Sequence, residues 1–350
     1  MLGLQDWIAA EASYATTRMS AAISATDLVI ERTGFGQRVV PRAGSVLASP
    51  VAAHYDPDPD YFFHWFRDAA IIIDALRVAL AAGYADRAAV IRFHEFLQFN
   101  VSLQSIDGRE FLRASDFRAR VQPAFLQYLR SDPEIAALSG KALLADTRVN
   151  ADGTLDFIRW SRPQTDGPAM RCLALLRWWR QFPELQEERI LRTQMSELIA
   201  ADLDFTLAYV REPCGDVWEE IAGYHYYTQV VQSEALSRGA EWLEDMQQHD
   251  RAAAARVAAR GSATTGAAAL RDFSRFDLGR GRSPAPRLAC GAGPNSGGGA
   301  QQARTLRRRS HRSGRRERDR HTRWHHGRRT RPNLSSLSCL RRAKRCCNPV

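Results

Sequence analysis

The chain has 350 residues, 45% hydrophobic and 25% charged, enough for one large domain or two ordinary ones. Its net charge of +10 is unevenly spread: residues 273–350 hold 21 basic and 3 acidic residues, net +18, leaving 28 basic and 36 acidic, net −8, in residues 1–272. The basicity therefore belongs to the tail and is no reason to read the body as a nucleic-acid binder.

The opening residues lack a basic stretch followed by an apolar one, as a secretory leader would have. No apolar run is long enough to cross a membrane. The default reading is a soluble cytoplasmic protein. Residues 4–24 place Leu4, Ile8, Ala12 and Tyr14 at roughly helical spacing. "GQRVVPRAGSV" is the best of few strand-like alternations. Residues 64–83 predict a strongly apolar helix that stops at Gly83, a common C-terminal signal. Its apolar residues run most of the way round, so it is expected to be buried between other elements. Residues 85–103 follow at once and suggest a helical hairpin. Helices are also expected over 167–182, with Pro168 in the first turn, and over 188–210 and 228–248.

The expectation is an all-α domain whose loops carry function. From Phe273 onward Arg, Gly, Ser and His dominate. Such a segment buries too little apolar surface to order itself, so residues 273–350 are expected to be a disordered, basic tail. Six cysteines, Cys172, Cys214, Cys290, Cys339, Cys346 and Cys347, form no CxxC pair. Their spacing suggests neither a zinc site nor a disulfide framework. No metal or cofactor is expected.

Three stretches can carry chemistry. In "DPDPDYFFHWFRDAA" (56–70), Arg67 and Asp68 begin the apolar helix beside Tyr61 and Trp65. Such a pair can grip vicinal sugar hydroxyls through charge-assisted bonds; alternatively, Asp68 only complements the helix dipole. In "RWSRPQTDGPAMR" (159–171), Asp166 is placed as a helix N-cap. Trp160 is then either a stacking surface or core. In "GDVWEEIAGYHYYTQ" (215–229), Glu219 and Glu220 are expected near a helix start. Asp216 would share a helix face with Glu219. That carboxylate and the adjacent tryptophan would favour the protonated carboxyl that a general acid needs.

In this order the three stretches resemble the glucoamylases, the inverting glycoside hydrolases of family 15. The resemblance covers most of residues 1–260. It implies an (α/α)6 toroid, six inner and six outer helices with the active site in a funnel at one end. It also implies an exo-acting enzyme releasing glucose from non-reducing ends of α-1,4-glucans. By motif, Glu219 is the general acid and Glu220 a neighbouring sugar contact. Arg67 and Asp68 hold hydroxyls of the terminal glucose. Tyr61, Trp65 and Trp160 shape the subsite around the scissile bond, with Arg162 and Asp166 in the supporting loop and Asp216 beside the acid. Ser161 stands where the family usually has glycine, and His64 and Phe66 flank Trp65 at variable positions.

An inverting hydrolase needs carboxyl groups about 6.5–9.5 Å apart with water between. Adjacent helical residues diverge by about 100°, so Glu219 and Glu220 cannot be acid and base across one bond. The family's base comes from far downstream. Here that region offers only Asp277, Glu317 and Asp319, in sequence unlike the family. Residues 1–272 are therefore read as the first part of a catalytic domain forming an incomplete toroid, and 273–350 as non-native sequence of the kind a frameshift produces. The expected consequence is a chain crippled by the missing base. Alternatives are an inactive sugar-binding remnant, a polyanion binder acting through its tail, and, more distantly, another α-glucosidase such as a trehalase.

Overall fold

A computed structural model describes residues 3–51, 60–144 and 146–273. The expected basic tail, with Asp277, Glu317 and Asp319, lies outside the described residues. The described part is mostly helical with three two-stranded sheets.

Helix α1 (Leu4–Ser20) leads to β1 (Ile30–Arg32) and β2 (Gln37–Val39), an antiparallel pair joined by a single turn. The expected strand thus exists but ends before Pro41, which has no amide to continue a ladder. Strand β3 (Phe63–Trp65) runs directly into α2 (Phe66–Ala81), and α3 (Ala88–Leu103) follows. Short helices α4 (Gly108–Ala114), α5 (Asp132–Ala136) and α6 (Lys141–Leu144) punctuate an irregular segment. Strand β4 (Arg148–Asn150) ends that segment by pairing antiparallel with β3, Phe63 opposite Asn150 and Trp65 opposite Arg148. Then come α7 (Asp166–Gln181), α8 (Arg189–Tyr209), a hairpin of β5 (Cys214–Gly215) and β6 (Ala222–Gly223), α9 (Tyr226–Asp245) and α10 (His249–Phe273).

The long helices form three hairpins, α2/α3, α7/α8 and α9/α10. They lie in two rows: α7 packs against α2 and α9, while α8 packs against α3 and α10. This is three hairpins' worth of a paired-helix ring among the described residues. Between the rows lies an apolar core including Ile73, Phe93, Phe96, Leu175, Trp178, Leu198, Leu203, Leu236 and Leu243. Phe93 stacks on Trp178 with ring centres 4.0 Å apart. One polar cluster interrupts it. Arg171 of α7 meets Asp202 of α8 through two bonds, at 2.9 and 2.6 Å, and Asn100 of α3 at 2.6 Å. Burial raises the Asp202 carboxyl above the usual range, against the pull of Arg171. His64 is fully buried against Phe66, Phe96 and Phe99 and accepts the Val46 amide at Nδ1.

Two helical expectations are corrected. Residues 64 and 65 are strand, because β4 supplies a ladder for them. Helix α2 is not enclosed: Ile71 and Val78 are 49% and 52% exposed, since α7 covers only one side. Helix α1 buries no residue, and its apolar Leu4, Trp7, Ile8 and Tyr14 are all exposed. Helix α10 lies almost wholly beyond the expected helices. Its alanines, with Ala252, Ala255 and Ala259 buried, supply helix propensity but little apolar periodicity.

Candidate active site

The helix rows bring the first turns of α2 and α7 together. Gly167 makes this possible: a Cβ there would stand 2.7 Å from the Cβ of Phe66 and 3.1 Å from the amide nitrogen of Arg67. With that side chain absent, Arg67 of α2 reaches Asp166 of α7 at 3.0 Å and the Gln164 side-chain oxygen at 2.9 Å. Asp166 is accordingly buried and ion-paired. The expected N-cap position is occupied instead by Thr165.

Glu219 arrives from a different direction. The Asp216–Ile221 stretch is not a helix start but the turn of the β5/β6 hairpin. Asp216 Oδ1 accepts the amides of Glu220 at 2.7 Å and Ile221 at 3.1 Å, and the Asp216 carbonyl accepts the Glu219 amide at 3.0 Å. Glu219 adopts φ +66°, the left-handed region sparsely used by residues other than glycine. The Gly215 amide ties the hairpin to the Pro163 carbonyl at 2.8 Å. Held this way, Glu219 Oε1 accepts Gln164 Nε2 at 2.7 Å and Oε2 accepts Trp160 Nε1 at 2.5 Å. Arg67 Nη2 lies 3.9 Å from Oε1. Each carboxylate oxygen keeps a second lone-pair direction for a proton.

The aromatic wall is continuous. Tyr61 lies 5.6 Å from Trp65 and 6.4 Å from Trp160, and Trp65 lies 5.7 Å from Trp160. Behind it the buried Arg148 guanidinium sits 4.0, 4.6 and 4.1 Å from the rings of Phe63, Trp65 and Trp160 and pairs with Asp156 at 2.8 Å. Cation–ring contacts of this kind hold the indoles in place.

Charge is concentrated at the helix starts. Burial works against the charge on Arg67, but Asp166, Asp68 and Glu219 raise it above its ordinary value. Burial raises the Asp68 carboxyl above the usual carboxylate range, opposed by Arg67. Tyr227 of α9 is pushed up to about 12 by burial and by Asp166.

Of the sequence-derived candidates, Tyr61, Trp65, Arg67, Asp68, Trp160 and Glu219 converge. Arg162 stands apart, bound to Asp146 and Asp156 at 2.8 Å each. Glu220 is exposed on the hairpin. The expected relation of Asp216 to Glu219 is corrected: the Asp216 carboxylate is spent on turn amides and sits below the usual range, because those bonds outweigh its slight desolvation. Trp218 is 80% exposed, so the indole at Glu219 is Trp160. Gln164, Arg148 and Tyr227 escaped sequence reading. Gln164 and Tyr227 stood inside the quoted motifs, yet an amide or one more tyrosine gives no signal there.

A paired-helix fold that gathers a carboxylate, a guanidinium and an indole wall beside the first turns of two helices has the arrangement of an all-helical glycoside hydrolase site. Residues 144–282 match the family model for glycosyl hydrolases family 15. It is 28% identical over 210 residues to a probable glucoamylase of Schizosaccharomyces pombe, covering 60% of this chain and 40% of that protein. It is 28% identical over 212 residues to an intracellular, sporulation-specific glucoamylase of Saccharomyces cerevisiae, covering 57% and 32%. The solved glucoamylase of Hypocrea jecorina aligns with TM-score 0.55 at 22% identity, over 74% of this chain and 37% of that one. That of Saccharomycopsis fibuligera aligns with TM-score 0.53 at 19% identity, over 77% and 50%. These likenesses show the fold, that of the family's (α/α)6 toroid. The chain spans well under half the length of these curated relatives. Among the described residues no helix is long and apolar enough to cross a membrane.

Proposed function

We propose that residues 1–272 carry the acid and sugar-gripping half of an inverting α-glucan hydrolase site, acting on non-reducing ends of α-1,4-linked chains. The observation that carries this is the convergence of three separate stretches on one carboxylate: Trp160 and Gln164 bond to Glu219 while Arg67 links it to Asp166. In this reading Glu219 delivers a proton to the glycosidic oxygen. Arg67 and Asp68 bind hydroxyls of the terminal glucose. Tyr61 and Trp160 form the apolar wall on which a pyranose ring lies, with the buried Trp65 packed behind them. Glu220 and Asp216 border the site from the hairpin, and Arg162 and Asp166 brace it.

Asp68 and Asp166 are tied to Arg67, so the base that would activate water is unassigned. The reading therefore includes little or no turnover by this 350-residue chain. The test is glucose release from maltoheptaose together with binding of a thio-linked maltoside, which hydrolysis cannot consume. Binding that Arg67→Ala removes, without glucose release, is expected. Turnover abolished by Glu219→Gln would overturn the loss of activity while supporting the acid. A wild-type chain that binds no maltoside would overturn the site itself.

A further inference from the structure

Tyr227 stands in the first turn of α9 and is partly exposed. Two contacts fix that turn beside the Glu219 cluster. His225 Nε2 lies 3.1 Å from the carbonyl oxygen of Cys214, in the hairpin that carries Glu219. Gln232 donates to the Thr165 hydroxyl at 3.1 Å, next to Asp166 at the start of α7. The turn is thus held between the hairpin and the α7 start, and its phenol lies in the combined field of Asp166, Arg67 and Asp68.

The Tyr227 hydroxyl is poorly matched where it rests. Among the described residues it donates to Met170 Sδ at 3.0 Å, one turn along α7 from Asp166. A thioether is a weak acceptor. The neighbouring groups are already committed or of the opposite kind. Arg67 donates to Asp166 and Gln164 and its side chain is 12% exposed, whereas the Asp68 side chain is 40% exposed. An ionised carboxylate only accepts. A sugar hydroxyl that donates to Asp68 therefore keeps oxygen lone pairs in need of a donor, and the hydroxyl parked on sulfur is one.

Burial, with Asp166 and Asp68, pushes the phenol up to about 12 despite Arg67. Tyr227 thus keeps its proton at neutral pH, which makes it a donor and not the base missing from the site.

We propose that the Tyr227 hydroxyl is a further sugar contact, leaving the Met170 sulfur to donate to a hydroxyl of the glucose ring that Arg67 and Asp68 hold. The inference rests on the glucan reading above. A hydroxyl hydrogen rotates to suit its partner, so the exchange of sulfur for oxygen moves no packed ring.

Equilibrium dialysis of the full chain against a labelled thio-linked maltoside reads this contact. Tyr227→Phe keeps the ring and is expected to weaken binding about fivefold, as the loss of one neutral hydrogen bond does. Monodeoxy analogues of the non-reducing ring (2-, 3-, 4- and 6-deoxy) separate contact from packing. One of them should bind equally to the wild type and Tyr227→Phe, because it lacks the accepting hydroxyl. Met170→Leu removes the resting partner and should leave affinity unchanged; an equal loss there traces the effect to packing and overturns the contact. Tyr227→Phe that binds as the wild type does, or that weakens the parent and every analogue alike, overturns the contact and leaves the proposed function standing. Binding that Tyr227→Phe weakens but Arg67→Ala spares overturns the shared site and this inference with it. A wild-type chain that binds no maltoside also overturns both.

Discussion

The helical rows and the irregular segment between α3 and α7 are built on different principles. The rows enclose aliphatic and aromatic side chains with one buried ion cluster, Arg171–Asp202–Asn100. The irregular segment has few regular backbone ladders. It is stitched by Arg130–Asp146–Arg162–Asp156–Arg148, with the last guanidinium stacked among three rings. Hydrophobic burial is non-directional, so it can hold helices together but not aim a carboxylate. Hydrogen-bonded ion pairs are directional, and they lie on the side of the molecule where Trp160 and Glu219 must be placed to within a few tenths of an ångström.

The sharpest challenge to this contrast is Asp202→Ala. Removing one partner of a buried pair leaves an uncompensated charge, which costs about 3–5 kcal/mol. Urea unfolding is expected to show that loss across the whole helical part. A change under 1 kcal/mol would mean that the rows do not depend on their single ion cluster.

Two buried groups, His64 packed against the α3 aromatics and Asp146 in the irregular segment, should respond oppositely to pH. Burial, together with the charge of Arg171, lowers His64 from 6.5 to about 3. The unfolded chain therefore takes this proton first, and stability falls as pH drops below 6.5 toward 3, by about 1.4 kcal/mol per unit. Asp146 is raised from 3.8 to about 6 by burial. Its contribution is complete below 3.8 and is lost as pH rises through 6, with the opposite slope. Unfolding free energy measured from pH 3 to 7 is expected to lose the first slope in His64→Gln and the second in Asp146→Asn. Variants with unchanged profiles would break the contrast.

A smaller effect is expected at the junction of the two helix starts. Gly167→Ala forces a methyl within 2.7 Å of Phe66, and overpacking of this kind costs about 1–3 kcal/mol. Both the melting temperature and maltoside affinity should fall, because Arg67 and Asp166 are moved apart. The smallest effect belongs to Trp218→Ala. At 80% exposure, its loss should change stability by no more than about 0.5 kcal/mol and leave maltoside binding intact. A large drop in either would restore Trp218 to the site.

The helices α2, α3, α7, α8 and α9 were legible because each shows apolar spacing of three and four residues, α10 was not, and Arg67 and Asp68 were legible because they open one of them. The 104–165 segment was not, since ion pairs between residues such as Arg130 and Asp146 carry no periodicity. The turn at Asp216–Ile221 was misread as helix for a related reason. Strands of two residues are too short to show alternation, and the decisive bonds run from one aspartate to two amides. Gln164 was present in a quoted motif, but its role depends on Glu219, 55 positions away.

Glu219 is carried on a six-residue turn fastened to the body through Gly215 and the Pro163 carbonyl, not on one of the long helices. Aim and stability are thereby uncoupled. The reach of the carboxylate can be reset by exchanging turn residues, with the helical rows none the wiser, so the hairpin works as an adjustable arm on a fixed frame.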